Sequence, residues 1–243
     1  MSAAGIDWHD MARGLAPETR AFIGGAWHGS ASGTRFDTVN PATGQVTARV
    51  TACGAEDAGR AVAAASACFA AGHWSAAAPA ARKAVLLRLA DLIERDRDHL
   101  ALLETLDTGK PIRDSLAIDL PATLRCLRWF AEAADKLYDE VAPTGGGVLA
   151  MIRRRPLGVV AAIVPWNFPL VTAMTKIAPA LAAGNSVVLK PSELSPLSAL
   201  HLAGLAAEAG LPEGALNVLP GTGPEVGQAL ALHMDVGALL FTG

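Results

Sequence analysis

From Pro156 onward the chain repeats one pattern, a short apolar run followed by a longer helical stretch, and no other feature restricts the fold as tightly. Val159 to Val164 leads into a helix ending at Ala183, Val187 to Lys190 into Pro196 to Ala209, and Leu216 to Leu219 into Pro224 to Leu232, with Ala238 to Phe241 last. Such runs have strand length, and strands covered on both faces are apolar throughout instead of alternating. Strands separated by helices predict a parallel sheet with helical crossovers, an α/β doubly wound, Rossmann-like core. Ser195 is predicted to cap the helix whose first position is Pro196, and Gly210 to end it.

The preceding residues follow a different pattern. Phe22 to Trp27, Arg35 to Val39 and Gln45 to Val50 read as short strands, the last two joined by the turn Asn40-Pro41-Ala42-Thr43-Gly44, together an N-terminal β arm. Ala55 to Ala71 is helical, and so is Ala80 to Leu103, with Val85, Leu86, Leu89, Leu92, Ile93 and Leu100 on one face. A third helical stretch, Asp114 to Tyr138, contains Pro121, which lacks the N–H an interior position donates and is expected to interrupt or restart the helix. Leu124, Leu127, Ala131 and Ala134 continue its apolar stripe. After the Pro143 to Gly147 loop, Val148 to Arg155 reads as a connecting strand, and Arg153-Arg154-Arg155 as a solvated or subunit-contacting face. The expected division is a helical and β-arm segment at 1–138, a bridging strand segment at 139–156 and a nucleotide-binding core, incomplete, at 157–243.

Hydrophobic residues make up 51% of the 243, enough to fill a core without crosslinks. Twenty basic and 23 acidic residues spread along the chain leave a net charge of −3, so neither nucleic acid nor an anionic membrane is expected as a partner. Cys53, Cys68 and Cys126 are odd in number and widely spaced, which fits reduced thiols in the cytoplasm better than a disulfide framework. Met1 to Arg20 has no apolar signal-peptide core, and the apolar runs are too short to span a bilayer.

In open parallel sheets ligands bind beyond the carboxyl ends of the strands. The residues there are Pro165-Trp166-Asn167-Phe168-Pro169, Lys190-Pro191-Ser192-Glu193 and Gly221-Thr222-Gly223-Pro224-Glu225-Val226-Gly227. The first is either a stiff turn with an apolar plug or a rigid mount for the Asn167 amide, a donor suited to a developing oxyanion. The second offers either a turn-closing ion pair or a lysine and carboxylate for ribose hydroxyls, with the acid disfavouring a 2′-phosphate. The third misses the dinucleotide fingerprint by one residue, leaving Gly223 and Gly227 as points of close backbone approach. No nucleophile elbow or Walker loop is present, and the six histidines have no metal-ligand spacing.

The first two of these segments, with Leu181-Ala182-Ala183-Gly184-Asn185, Glu208-Ala209-Gly210-Leu211-Pro212-Glu213-Gly214, Leu216-Asn217-Val218 and Phe241-Thr242-Gly243, resemble the aldehyde dehydrogenase superfamily from about Phe22 to Gly243. Leu103 to Arg113, Arg128 to Ala133 and Val159 to Val164 are most similar to its γ-glutamyl-γ-aminobutyraldehyde dehydrogenase branch, which serves putrescine breakdown. The resemblance implies NAD as cofactor, with NADP possible, and an aldehyde, such as an aminoaldehyde, as substrate. It implies that Asn167 holds the oxyanion, that Val164 and Trp166 line the cofactor site, that Lys190 and Glu193 face the adenosine ribose, that Gly223 lies beside the adenine, and that Ile163, Pro165, Ser192 and Gly227 also bind the cofactor. Lys176, nine residues after Asn167, is expected to be a helix-surface charge before a relay residue.

In the implied mechanism a cysteine thiolate attacks the aldehyde, hydride passes to the nicotinamide, and a glutamate activates water to release the acid. That cysteine and glutamate belong to a catalytic domain that the resemblance places after Gly243, and none of the three cysteines sits in the nucleophile's sequence context. The expectation is therefore the N-terminal half of an enzyme, inactive alone, that is a homodimer or homotetramer when intact. The alternative is a non-catalytic nucleotide-binding or subunit-interaction module.

Overall fold

One side chain starts the first helix of the computed structural model, which describes residues 5–243. The Asp7 carboxylate accepts the backbone N–H groups of His9 and Asp10, and α1 (Trp8–Arg13) follows. Residues 1–4 of the expected 1–138 segment lie outside the described residues.

Phe22 to Trp27 forms two strands, not the single one expected. β1 (Ala21–Ile23) and β2 (Ala26–His28) pair antiparallel across Gly24 and Gly25, whose φ values of 59° and 86° are those a two-residue hairpin turn requires. Phe22 in β1 also pairs antiparallel with Val218, so this hairpin extends the main sheet. Only β3 (Arg35–Val39) and β4 (Val46–Thr51) form a separate arm.

α2 (Ala55–Ala71) begins at Gly54, whose N–H donates to the Asp57 carboxylate over 3.1 Å. The stretch expected as one helix from Ala80 to Leu103 is broken at Asp96 into α3 (Pro79–Arg95) and α4 (Arg97–Thr108). The Asp96 carboxylate binds Arg95 Nε at 2.7 Å and His201 Nε2 at 2.8 Å, and so anchors the break. Apolar spacing hides such a break because Leu92, Ile93 and Leu100 keep facing inward across it.

After α5 (Ile112–Asp114), residues Ser115–Asp119 form a π-helical turn, and α6 (Leu120–Ala133) restarts with Pro121 in its first turn, as its missing N–H requires. α6 buries Leu124, Leu127 and Ala131 and stops at Ala133, short of Tyr138. The expected single connecting strand is one half of a hairpin, β5 (Glu140–Ala142) with β6 (Ala150–Ile152).

The main sheet takes its remaining strands from the expected repeat. β7 (Val159–Ile163), α7 (Pro169–Ala182), β8 (Ser186–Lys190), α8 (Leu197–Glu208) and β9 (Leu216–Val218) are followed by a π-helical turn at Gly223–Gly227, α9 (Gln228–Leu232) and β10 (Val236–Phe241). The order is β10-β7-β8-β9-β1-β2, with the first four strands parallel. Val160, Ala162, Val187 and Leu189 face a core shared with α7 and α8, while Val159, Ala161 and Val188 face α2 and α9. The chain leaves β7 in one direction over α7 and α8 and returns to its other side over α9. A crossover of constant hand that reverses direction must change faces, so β7 and β10 flank a topological switch point.

Other elements hold the two crossover helices. Trp74 Nε1 donates to Leu181 O over 2.9 Å and Arg82 Nε to Ala182 O over 3.1 Å, satisfying carbonyls at the end of α7. Ser195 does not cap α8 as expected. Its hydroxyl is buried without a hydrogen-bond partner, Pro196 occupies the cap position, and the Leu197 N–H donates to Asp107 Oδ2 of α4 over 3.0 Å. The cap is supplied from 90 residues away, which no local pattern signals.

Candidate functional site

Three main-chain bonds align the carboxyl ends of the strands: Val164 N to Lys190 O at 3.2 Å, Leu219 N to Leu189 O at 2.9 Å, and Thr242 N to Ile163 O at 3.1 Å. The residues following β7, β8 and β9 therefore gather on one edge, beside the switch point. A Cβ on Gly227 would lie 3.6 Å from Ile163 Cδ1 and 3.9 Å from Lys190 Cδ, so three of the expected site residues touch. Gly223 is exposed, with nothing within 4 Å of such a position. Gly221 is tighter, since a Cβ there would meet Cys53 O at 2.8 Å, so packing against the backbone calls for glycine at that position.

Lys190 is 3% exposed, yet its ammonium makes only one hydrogen bond among the described residues, to Glu193 Oε2 at 3.3 Å. Burial pushes the Lys190 pKa down, and Glu193 opposes that shift. An ammonium with donors to spare beside a carboxylate whose side chain is 40% exposed fits a vicinal diol, because each hydroxyl can accept from one and donate to the other. The donor set thus suits the ribose of a nicotinamide dinucleotide. Ser192 is buried and its hydroxyl accepts the Leu194 N–H at 3.2 Å, which shapes the turn carrying Glu193.

Between buried Val164 and buried Pro169, Pro165 is half-buried and Trp166, Asn167 and Phe168 are exposed. The Asn167 carboxamide makes no hydrogen bond among the described residues, while its main-chain oxygen accepts from Lys110 Nζ at 3.0 Å. Trp166 and Glu193 share a cavity of about 260 Å³ with Asp107 and Thr108. Larger concavities lie elsewhere, one of about 590 Å³ around Trp129 and one of about 820 Å³ around Trp8. Neither lies at the carboxyl edge of the parallel strands, where ligands of such sheets bind, and that placement outweighs size in locating the site.

Lys176 corrects the sequence reading, being buried instead of on the helix surface, with Nζ donating to Thr242 Oγ1 over 2.6 Å. Burial lowers its pKa. Thr242 comes from the residues after β10, so only the pairing of β10 with β7 brings the two together.

A group of buried charges behind the edge escaped the sequence reading. Glu104 is fully buried, accepts the Leu170 N–H at 3.2 Å and the Ser198 hydroxyl, and has its pKa pushed up to about 8 by burial. Asp107 accepts from Thr38 Oγ1 at 3.0 Å as well as from Leu197 N, and burial raises its pKa to about 7. Asp119, 1% exposed, pairs with Lys110. The available signal was phase, because Glu104 and Asp107 each follow by four residues a leucine of the buried face, Leu100 and Leu103.

All three thiols are shifted away from the thiolate form. Burial raises the Cys53 pKa to about 12 and also raises those of Cys68 and Cys126. Among the described residues no helix is long and apolar enough to cross a membrane.

The profile of the Aldehyde dehydrogenase family matches residues 27–243. The chain is 57% identical over 236 residues to the NADP/NAD-dependent aldehyde dehydrogenase PuuC of Escherichia coli (strain K12), covering 97% of this chain and 48% of that protein. A variant of the P. syringae indole-3-acetaldehyde dehydrogenase AldA in complex with NAD+ and IAA superposes with a TM-score of 0.95 at 57% identity, covering 96% of this chain and 47% of that one. The γ-glutamyl-γ-aminobutyraldehyde dehydrogenase of Burkholderia cenocepacia J2315 gives 0.94 at 54% identity, over 96% and 47%. The chain spans about half the length of the curated relatives it matches.

Proposed function

The chain belongs to the aldehyde dehydrogenase family, and from that premise we propose that its 243 residues supply the cofactor-holding part of an NAD(P)-dependent enzyme that oxidises an aldehyde to the carboxylic acid. The aldehyde we favour is an aminoaldehyde of the γ-glutamylaminobutyraldehyde type, because a similar structure is named for that substrate. The observation that carries the reading is the meeting, on one carboxyl edge, of the Lys190 and Glu193 pair with the unengaged Asn167 amide. When bound, the dinucleotide supplies the hydride acceptor.

The chain's own residues then have distinct tasks. Lys190 and Glu193 hold the adenosine ribose, Ser192 fixes their turn, Gly223 and Gly227 keep the surface flat for close approach, and Ile163, Val164, Pro165 and Trp166 wall the nicotinamide side. Asn167 donates from a rigid loop to the oxygen that gains charge when the aldehyde carbon becomes tetrahedral. Glu193 favours NAD over NADP by repelling a 2′-phosphate.

In this reading residues 157–243 belong to the nucleotide-binding core, 1–138 pack around it, and 139–156 form a bridge in a homodimer or homotetramer. Val148, Leu149 and Met151 on that bridge are exposed, as a subunit contact requires. Three free cysteines fit a cytoplasmic enzyme.

The test is NADH formation from γ-glutamylaminobutyraldehyde and simpler aldehydes by the protein expressed from its complete gene. Turnover that depends on NAD+ supports the proposal, and its absence with every aldehyde overturns it. The 243 residues alone are expected to form no NADH.

A further inference from the structure

We propose that Lys110 is the positioning residue for the Asn167 amide, a main-chain clamp that sets the direction in which the carboxamide leaves the Pro165–Pro169 loop. The inference deepens the proposed function and rests on it for its catalytic consequence. Trp166, Asn167 and Phe168 project from the protein, so the loop needs an external tether. Lys110 Nζ supplies it by donating to Asn167 O at 3.0 Å and lying 4.3 Å from the centroid of the Phe168 ring, within cation–π reach.

The ammonium is itself held by Asp119, whose side chain is 2% exposed, while that of Lys110 is 16% exposed. Asp119 ends the π-helical turn Ser115–Asp119, a helix irregularity of the kind that re-aims a side chain. Beyond the exposed residues the Leu170 N–H is tied to Glu104, so the loop is fixed to the α4–α6 layer at residue 167 and again at residue 170. Holding the carbonyl of residue 167 restricts its ψ angle, and with it the Cα–Cβ direction from which the amide departs. A donor preorganised in this way loses its advantage on small displacement, and about 1 Å is worth roughly 100-fold in rate.

The test compares Lys110→Met and Lys110→Arg in the protein from its complete gene, by hydrogen exchange and by kinetics. For Lys110→Met, faster exchange confined to residues 166–172, with kcat lowered about 10- to 100-fold and the KM for NAD+ unchanged, is the expected result. Lys110→Arg, which keeps the charge and donors, should recover most of kcat. Wild-type exchange at 166–172 in Lys110→Met overturns the proposal, as does a wild-type kcat. Faster exchange spread evenly over the β7 and β8 peptides also overturns it, since that marks general destabilisation. The exchange arm needs neither aldehyde nor cofactor. Should the wild type oxidise no aldehyde, the proposed function fails while exchange still decides whether Lys110 fixes the loop.

Discussion

Asn167 combines a held main-chain oxygen with a carboxamide that has no partner among the described residues, a distribution that spends the backbone on rigidity and leaves the side chain for a ligand. Asn167→Ala should therefore lower kcat by about 10²–10³-fold, the usual loss for one oxyanion donor, with the unfolding midpoint unchanged. Steady-state NADH formation alongside urea denaturation measures both. On the role proposed for Glu193, Glu193→Gln should raise the preference for NADP over NAD by about tenfold in kcat/KM, an effect worth roughly 1.4 kcal/mol. Glu104 contributes to the pH dependence of stability, in the same direction as Asp107. Below its ordinary value of 4.5 the carboxyl is protonated in both states; between there and about 8 the folded chain keeps a proton that the unfolded chain has lost. Stability therefore falls as pH rises through that window, by roughly 1.4 kcal/mol for each unit of raised pKa. Glu104→Gln should flatten the fall, read as a smaller difference between urea midpoints at about pH 5 and about pH 8. Asn167, Lys190 and Glu193 stand out as candidates in the sequence because each lies at, or within four residues of, the carboxyl end of a strand. Lys176, Glu104 and Asp107 could not, because their burial depends on helices and strands far along the chain.

At the scale of elements, apolar spacing located most helices and strands but not their breaks. Asp96 stops α3 with contacts to neighbouring side chains while the leucines on either side stay in phase, so the period shows no interruption. The start of α8 makes the same point, since Ser195-Pro196 has the local form of a cap and the donor at Leu197 goes to Asp107. Arg82 lies 9% exposed between α3 and the last turn of α7, and burial lowers its pKa. Its guanidinium faces the negative end of that helix, where a cation is favoured. Arg82→Met should leave the Ala182 carbonyl without this donor and destabilise the fold by about 1–3 kcal/mol. A lowered urea midpoint with an unchanged m-value would report that loss.

At the scale of the whole molecule, the β5–β6 hairpin and its loop carry a run of exposed apolar side chains, Val141, Val148, Leu149, Met151 and Ile152. If this hairpin bridges subunits, Leu149→Glu with Met151→Glu should lower the association state seen by sedimentation equilibrium without unfolding the core, which makes few contacts with it. The sequence by itself determined the parallel core, because continuous apolar runs separated by helical stretches call for helices on both faces of a parallel sheet, as β7, β8 and β9 have, while the edge strand β10 stays half exposed. It also determined which residues stand at the carboxyl edge of the parallel strands, since position just after a strand is a local property. Only the tertiary structure decided that β1 and β2 extend the sheet and that α4 caps α8 and anchors the start of α7. It also decided that Lys176 meets Thr242 and that Lys110 holds the Asn167 loop. Each of these is a hydrogen bond between groups 57 or more residues apart or a strand pairing across most of the chain, and such partners are set by how helices pack on an open sheet, on which local spacing carries no information.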